Sequence, residues 1–278
     1  MVNPEQFNVI APQLTDTYDV GLIVPTYNRP KYLRRTLRAL RRSDLSKTVL
    51  LFVDDVSDNP ETRRLIEQFS HPQAPIVRIW RTHKEGVKMH ENLYFAWEWL
   101  LANLPTCRYF CHLDPDTILK KHWLQTVRDL YETHRPQRQL MVTGFNALWH
   151  TIEETQGNYY VKRSIGGLNM FFDAELYVEL VRPCFLALEW GLDWDWKLVD
   201  AMQEKRYPIL CTKPSVIQHI GRTGVWAKQH QNYDFAIDYT FSRRPLTTFT
   251  HYAFIARQHI SLWHHKLTMF YQMITILK

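Results

Sequence analysis

A chain of 278 residues with 45% hydrophobic and 22% charged residues is globular in composition, long enough for a substantial core and too apolar to be disordered. Its formal charge of +6 favours anionic partners, whether nucleotide phosphates, an acidic membrane surface or nucleic acid. No apolar stretch is long enough to span a bilayer. Four cysteines (Cys107, Cys111, Cys184, Cys211) with no secretory leader before them are no disulfide framework and predict a cytoplasmic location.

Residues 1–18, interrupted by Pro4 and Pro12, show no period and read as an irregular lead-in. Val20-Gly21-Leu22-Ile23-Val24-Pro25 is then a continuous apolar run, the pattern of a strand covered on both faces. After the loop Thr26-Tyr27-Asn28-Arg29, Pro30 suits a first helical turn, and Leu33, Leu37 and Leu40 recur at helical spacing behind an arginine-covered opposite face. That basic face suits phosphates, anionic lipid or plain solvent. A second unit follows, with a strand at 48–53, the acidic turn Asp54-Asp55-Val56-Ser57-Asp58-Asn59-Pro60 and a helix at 61–69 burying Leu65, Ile66 and Phe69. The third comprises a strand at 76–80, a polar loop with Gly86 and a helix over 88–103. Repeated strand–helix alternation predicts an α/β fold with a mostly parallel central sheet, flanked by helices.

Tyr109-Phe110-Cys111-His112-Leu113 reads as a buried strand that stops on Asp114-Pro115-Asp116, ahead of a helix at about 121–132. Two carboxylates two residues apart at a strand's carboxyl end, the edge where open α/β sheets bind ligands, suit a hard divalent cation. The same triplet also reads as a turn with an Asp capping the next helix. Three strand ends together would collect Thr26, Asn28, Asp55, Asp114 and Asp116 in one cleft.

Farther along, 140–145 and 158–163 read as strands, and Gly166-Gly167 supplies a flexible pair where backbone approaches a ligand. Gly191-Leu192-Asp193-Trp194-Asp195 opens a helix, with Asp193 and Asp195 placed either to cap it or to act on a substrate. Short strands at 207–211 and 215–219 lead into His219-Ile220-Gly221-Arg222. From 245 on the chain is aromatic and basic, a C-terminal helical extension suited to packing on the main domain, to peripheral membrane contact or to nucleic acid. The predicted organisation is a main domain over 1–244, with halves at 19–120 and 121–244, followed by the extension at 245–278.

Four features stand in one order: Val24-Pro25-Thr26-Tyr27-Asn28-Arg29, Val53-Asp54-Asp55, the Gly86-to-Asn92 spacing, and Leu113-Asp114-Pro115-Asp116 as a DXD motif. Together they resemble the nucleotide-binding half of glycosyltransferase family 2, inverting enzymes of the GT-A fold that use a nucleotide-sugar donor and a divalent metal. The resemblance covers about residues 19–225. It implies that Pro25 and Thr26 line the base pocket, that Asp55 binds uracil or an equivalent base, and that Asp114 lies near the ribose and metal. Asp116 and His219 would be ligands of Mn2+ or Mg2+, and Asp193 the general base, with Asp195 as the other candidate. Lys88 and Arg222 are further candidates for phosphate contact. Val56 stands where the family has a small residue, and Leu192 replaces the acidic neighbour of the base. The implied reaction transfers a sugar, from UDP in the first instance, to a hydroxyl of a glycan or lipid-linked glycan. A modified base in DNA is the alternative acceptor, and a non-catalytic carbohydrate- or nucleic-acid-binding module the alternative role. A nucleotidylyltransferase would show a glycine-rich phosphate loop after the first strand, which Pro25-Thr26-Tyr27-Asn28-Arg29 is not.

Overall fold

Two seven-residue runs, Val20–Thr26 and Thr48–Asp54, are buried along their whole length, as strands covered on both faces must be. In the computed structural model, which describes residues 2–15, 17–84, 88–187, 193–221, 234–236 and 238–240, they are neighbouring interior strands of a ten-stranded sheet. In chain order the elements of the first half are β1 (Phe7–Ile10), β2 (Val20–Thr26), α1 (Pro30–Leu40), β3 (Thr48–Asp54), α2 (Pro60–Glu67), β4 (Ile76–Arg81), α3 (Met89–Asn103) and β5 (Tyr109–Leu113). The second half continues with β6 (Thr117–Leu119), α4 (Trp123–His134), β7 (Met141–Thr143), β8 (Ile152–Thr155), β9 (Tyr159–Lys162) and β10 (Asn169–Asp173). A helical run in three pieces follows: α5 (Ala174–Leu176), a π-helical turn (Tyr177–Val181) and α6 (Arg182–Ala187). Last come α7 (Trp194–Glu204), β11 (Ile209–Thr212) and β12 (Ile217–His219).

The sheet order is β1-β4-β3-β2-β5-β10-β7-β11-β9-β8. Strands β4, β3, β2 and β5 are mutually parallel, so their carboxyl ends reach one edge. Strand β10 inserts antiparallel to β5, which brings its beginning, not its end, to that edge. The second half of the chain therefore reaches that edge through the loop before Asn169. Strands β6 and β12 form a separate two-stranded ribbon in which His219 lies opposite Thr117. This ribbon carries His219 to the Asp-Pro-Asp turn.

Phe7–Ile10 corrects the irregular lead-in: it pairs antiparallel with β4, and Phe7 is buried and stacks on Phe95 at 4.0 Å. Pro4 and Pro12 flank the strand without entering it, so the prolines bound a strand that has too few residues to show a period. In α1, Pro30 is in the first turn and Leu33, Leu37 and Leu40 are buried as their spacing predicts. In α2, Ile66 is buried, with Phe69 just beyond it, while Leu65 is only half-buried. The aromatic excess goes largely to the core, where Trp97 meets Phe172, Tyr177 and Phe185 with ring centroids 5.2–5.7 Å apart. All four cysteines are free, and three are buried. Among the described residues no helix is long and apolar enough to cross a membrane.

Lys162 is the one fully buried lysine among the described residues, 1% exposed. Its ammonium donates to Asn146 Oδ1 at 2.8 Å, to the Ala147 carbonyl at 3.4 Å and to the His150 carbonyl, pinning the loop after β7. Lys162→Met is expected to lower stability by about 1–3 kcal/mol, because three buried oxygens lose their donor. Burial holds this lysine below its ordinary value of 10.5. The folded chain thus binds that proton less tightly than the unfolded chain, and this contribution to stability rises with pH toward 10.5. Denaturant midpoints against pH check both points: the variant should be less stable and should lack that part of the slope.

Packing divides the chain into a unit of residues 1–238 and a second of 239–278. The aromatic, basic extension at 245–278 lies outside the described residues, as do Gly86, Gly191, Leu192 and Arg222.

Candidate active site

The loop leaving β2 is held in an unusual conformation. Asn28 and Arg29 both adopt left-handed backbone, with φ of 52° and 58°, and neither is a glycine. The acidic turn after β3 over-determines Asn28: its N–H donates to Ser57 Oγ at 2.7 Å, and its Oδ1 accepts from Asn59 N–H at 2.9 Å. Asp54 organises that turn, accepting from Ser57 N–H at 2.7 Å, Ser57 Oγ–H at 2.6 Å and Thr26 Oγ–H at 2.9 Å. Its role is internal, which the sequence motif alone does not reveal.

Asp55 is 3% exposed. Its N–H donates to the Thr26 carbonyl at 2.9 Å, and its Oδ2 accepts from Lys88 N–H at 2.8 Å. Burial raises its pKa, against the hydrogen bonds from Lys88 and Asn92. Pro25 lies in β2 opposite Val53, and Pro25, Thr26 and Asp55 stand close together at the carboxyl ends of β2 and β3. The Lys88 ammonium is occupied by Glu91 at 2.9 Å, and Glu91 also holds buried Arg81 at 2.5 Å.

The Asp-Pro-Asp turn is fixed from α1, where Thr36 Oγ1 donates to the Pro115 carbonyl at 2.7 Å and accepts from Thr117 N–H at 2.9 Å. Its two carboxylates have different surroundings. Asp114 Oδ1 faces His112 Nε2 at 3.1 Å, and burial, with the charge of Asp116, pushes its pKa up. Asp116, 3% exposed, meets Arg29 Nη2 at 2.8 Å and His219 Nε2 at 3.2 Å, both on Oδ2. Burial would raise its pKa, but His219 and Arg29 outweigh burial and hold it at about 2. His219 Nδ1 in turn bonds the Asp234 carbonyl at 2.9 Å, the second contact that orients an imidazole Nε2 toward a ligand.

Asp116 Oδ1 is buried and has no hydrogen-bond partner among the described residues. A Cβ on Gly221 would lie 1.9 Å from Asp116 Oδ2, 2.5 Å from Arg29 Nη2 and 2.7 Å from His219 Nε2, so only glycine leaves the space between these groups open. An orphaned anionic oxygen beside such a cradle, with an oriented imidazole, fits a hard divalent cation. Among the described residues no cluster of three carboxylate, imidazole or thiolate groups forms, so Asp116 and His219 would leave remaining positions to phosphate oxygens and water.

At the start of α7, Asp193 occupies the cap position but makes no capping hydrogen bond; it is exposed, with Lys197 Nζ at 3.7 Å. Asp195 is turned inward. Its Oδ2 accepts from Gly167 N–H at 2.9 Å and its Oδ1 from Trp196 N–H at 3.0 Å, and burial raises its pKa. The two acids are thus distinguishable: Asp195 is committed to backbone donors, whereas the Asp193 carboxylate faces solvent. The residue that sequence reasoning did not single out is Arg29, which belongs to the first motif but finds its partner 87 positions later, on Asp116.

No curated protein matches the chain. The model of a known family, Glycosyl transferase family 2, matches residues 22–169, the stretch from β2 through β10's first residue that contains both acidic turns. Parallel strands delivering these turns to one edge of a large helix-flanked sheet are the GT-A arrangement, and the chain is a glycosyltransferase that belongs to glycosyl transferase family 2.

Proposed function

We propose that the chain transfers a sugar, with inversion, from a uridine-diphosphate donor to a hydroxyl of a glycan or lipid-linked glycan, with Mn2+ or Mg2+ held by Asp116 and His219. The observation that carries this reading is the buried Oδ1 of Asp116, without a hydrogen-bond partner among the described residues, beside the Gly221 cradle. A bound divalent cation would supply charge stabilisation to the departing diphosphate. Pro25, Thr26 and Asp55 would receive the base at the ends of β2 and β3, with the Asn28 loop and Lys88 bordering the phosphates and Asp114 the ribose. Asp193 would take the proton of the acceptor hydroxyl, since its carboxylate has no capping bond to give up. Asp195 would hold the Gly167 backbone in place from the opposite side of the same turn.

Incubation with a panel of nucleoside-diphosphate sugars and glycan acceptors, with Mn2+ or Mg2+, tests the reading through release of the nucleoside diphosphate and the anomeric configuration of the product. A uridine-diphosphate donor and an inverted product are expected; a retained configuration or turnover unaffected by chelator would contradict it. Asp55→Ala should raise the donor KM by about tenfold to a hundredfold and relax base choice, because a buried group that reads a base edge discriminates strongly. Steady-state kinetics with uridine and guanosine donors check this, and an unchanged KM would move the base pocket elsewhere.

A further inference from the structure

We propose that Arg29 holds the cation position of Asp116 until metal and donor arrive together, and that its guanidinium then transfers from the carboxylate to the donor's diphosphate. The inference rests on the metal reading above and deepens it by making metal and diphosphate binding cooperative.

An ionised carboxylate as buried as Asp116 needs a counter-charge at all times. Arg29 and His219 supply it from the same oxygen, Oδ2, while Oδ1 is left with no hydrogen-bond partner among the described residues. The space around Gly221 lies between these three side chains. A divalent cation entering there would stand within a few ångströms of the guanidinium, and the two positive charges would repel in a setting with little water to screen them. The guanidinium must therefore have somewhere to go. Among the described residues its Nε and Nη2 are both buried without a hydrogen-bond acceptor, Nη2 meeting Asp116 Oδ2 at 2.8 Å as an ion pair, so the planar fork has donors free for a new anion. A diphosphate offers that fork two oxygens at once. The Tyr32 ring, 4.6 Å from the guanidinium, keeps the charge at the mouth of the site whichever anion it faces.

The backbone supports the same conclusion. Arg29 and its neighbour Asn28 are consecutive left-handed non-glycine residues, and Asn28 is held by Ser57 and Asn59 from the next strand's turn. Such conformations cost free energy and persist where the surroundings impose them, which is common in ligand clamps. Here they aim a long cationic side chain across the cleft from α1's first turn to the Asp116 turn. A helix start needs no such geometry, since Asn59 begins α2 from ordinary extended backbone.

Mn2+ binding followed by electron paramagnetic resonance, with and without UDP, tests the proposal in wild type, Arg29→Gln, Arg29→Lys and Asp116→Asn proteins. Wild type is expected to bind Mn2+ weakly alone and more tightly with UDP, and Arg29→Gln to bind Mn2+ alone about tenfold more tightly than wild type, with a smaller gain from UDP. If Arg29→Gln binds Mn2+ alone no better than wild type while Asp116→Asn loses binding, the Arg29 proposal is overturned and the metal site stands. If wild type and Asp116→Asn bind Mn2+ alike with UDP present, the metal reading itself fails. Should Arg29→Gln not fold, Arg29→Lys decides: it keeps a charge near Asp116 but lacks the fork, so UDP's enhancement of Mn2+ binding should shrink by about fivefold, and an undiminished enhancement overturns the proposal.

Discussion

Asp116→Asn is expected to lower kcat/KM by roughly three orders of magnitude or more, since the loss of an anionic metal ligand removes several kcal/mol of charge stabilisation and each 1.36 kcal/mol is about tenfold in rate. Asparagine keeps the shape of the side chain, so the fold should survive. The partners left behind are Arg29, partly exposed, and His219, which retains the Asp234 carbonyl, so neither becomes a fully buried unpaired charge. Steady-state kinetics beside circular dichroism check the two halves of this statement, and a variant with more than a tenth of wild-type activity would remove Asp116 from the metal site.

The second large effect concerns Asp193. Asp193→Asn keeps size and hydrogen-bonding reach but removes the proton acceptor, so turnover should fall by roughly two to four orders of magnitude with donor binding close to normal. A helix-capping role would give a different outcome, because Asn caps nearly as well as Asp. In the structure Asp193 stands at the cap position without a capping bond. Asp195→Asn is the necessary companion. An Asn there can still accept from Gly167 N–H, so the variant should keep most of its turnover; a collapse with Asp193→Asn active would transfer the base role to Asp195.

The strands that build the site were legible because burial on both faces leaves uninterrupted apolar runs, as in Val20–Thr26 and Thr48–Asp54. Helix α1 announced itself through Pro30 and three leucines at helical spacing. Elements that depend on a distant partner did not. Phe7–Ile10 is a strand only because β4 offers an open edge, and Thr117–Leu119 only because β12 pairs with it. The charged partners were hidden for the same reason: Arg29 and Asp116 share no local pattern, and only the folded edge of the sheet brings a loop after β2 against the turn after β5. Asp54 and Asp55 show the converse. The motif gave both residues but not their division, in which Asp54 faces inward to Thr26 and Ser57 while Asp55 is held by Lys88.

Isothermal titration of UDP into the wild-type protein and Asp116→Asn, each with Mn2+ and with a chelator, tests the central claim that Asp116 anchors a metal-bound donor diphosphate. Wild type should bind UDP about tenfold or more tightly with Mn2+ than without, and Asp116→Asn should bind it weakly in both conditions. Equal affinity in wild type with and without Mn2+, or an undiminished Mn2+ effect in Asp116→Asn, would contradict the account.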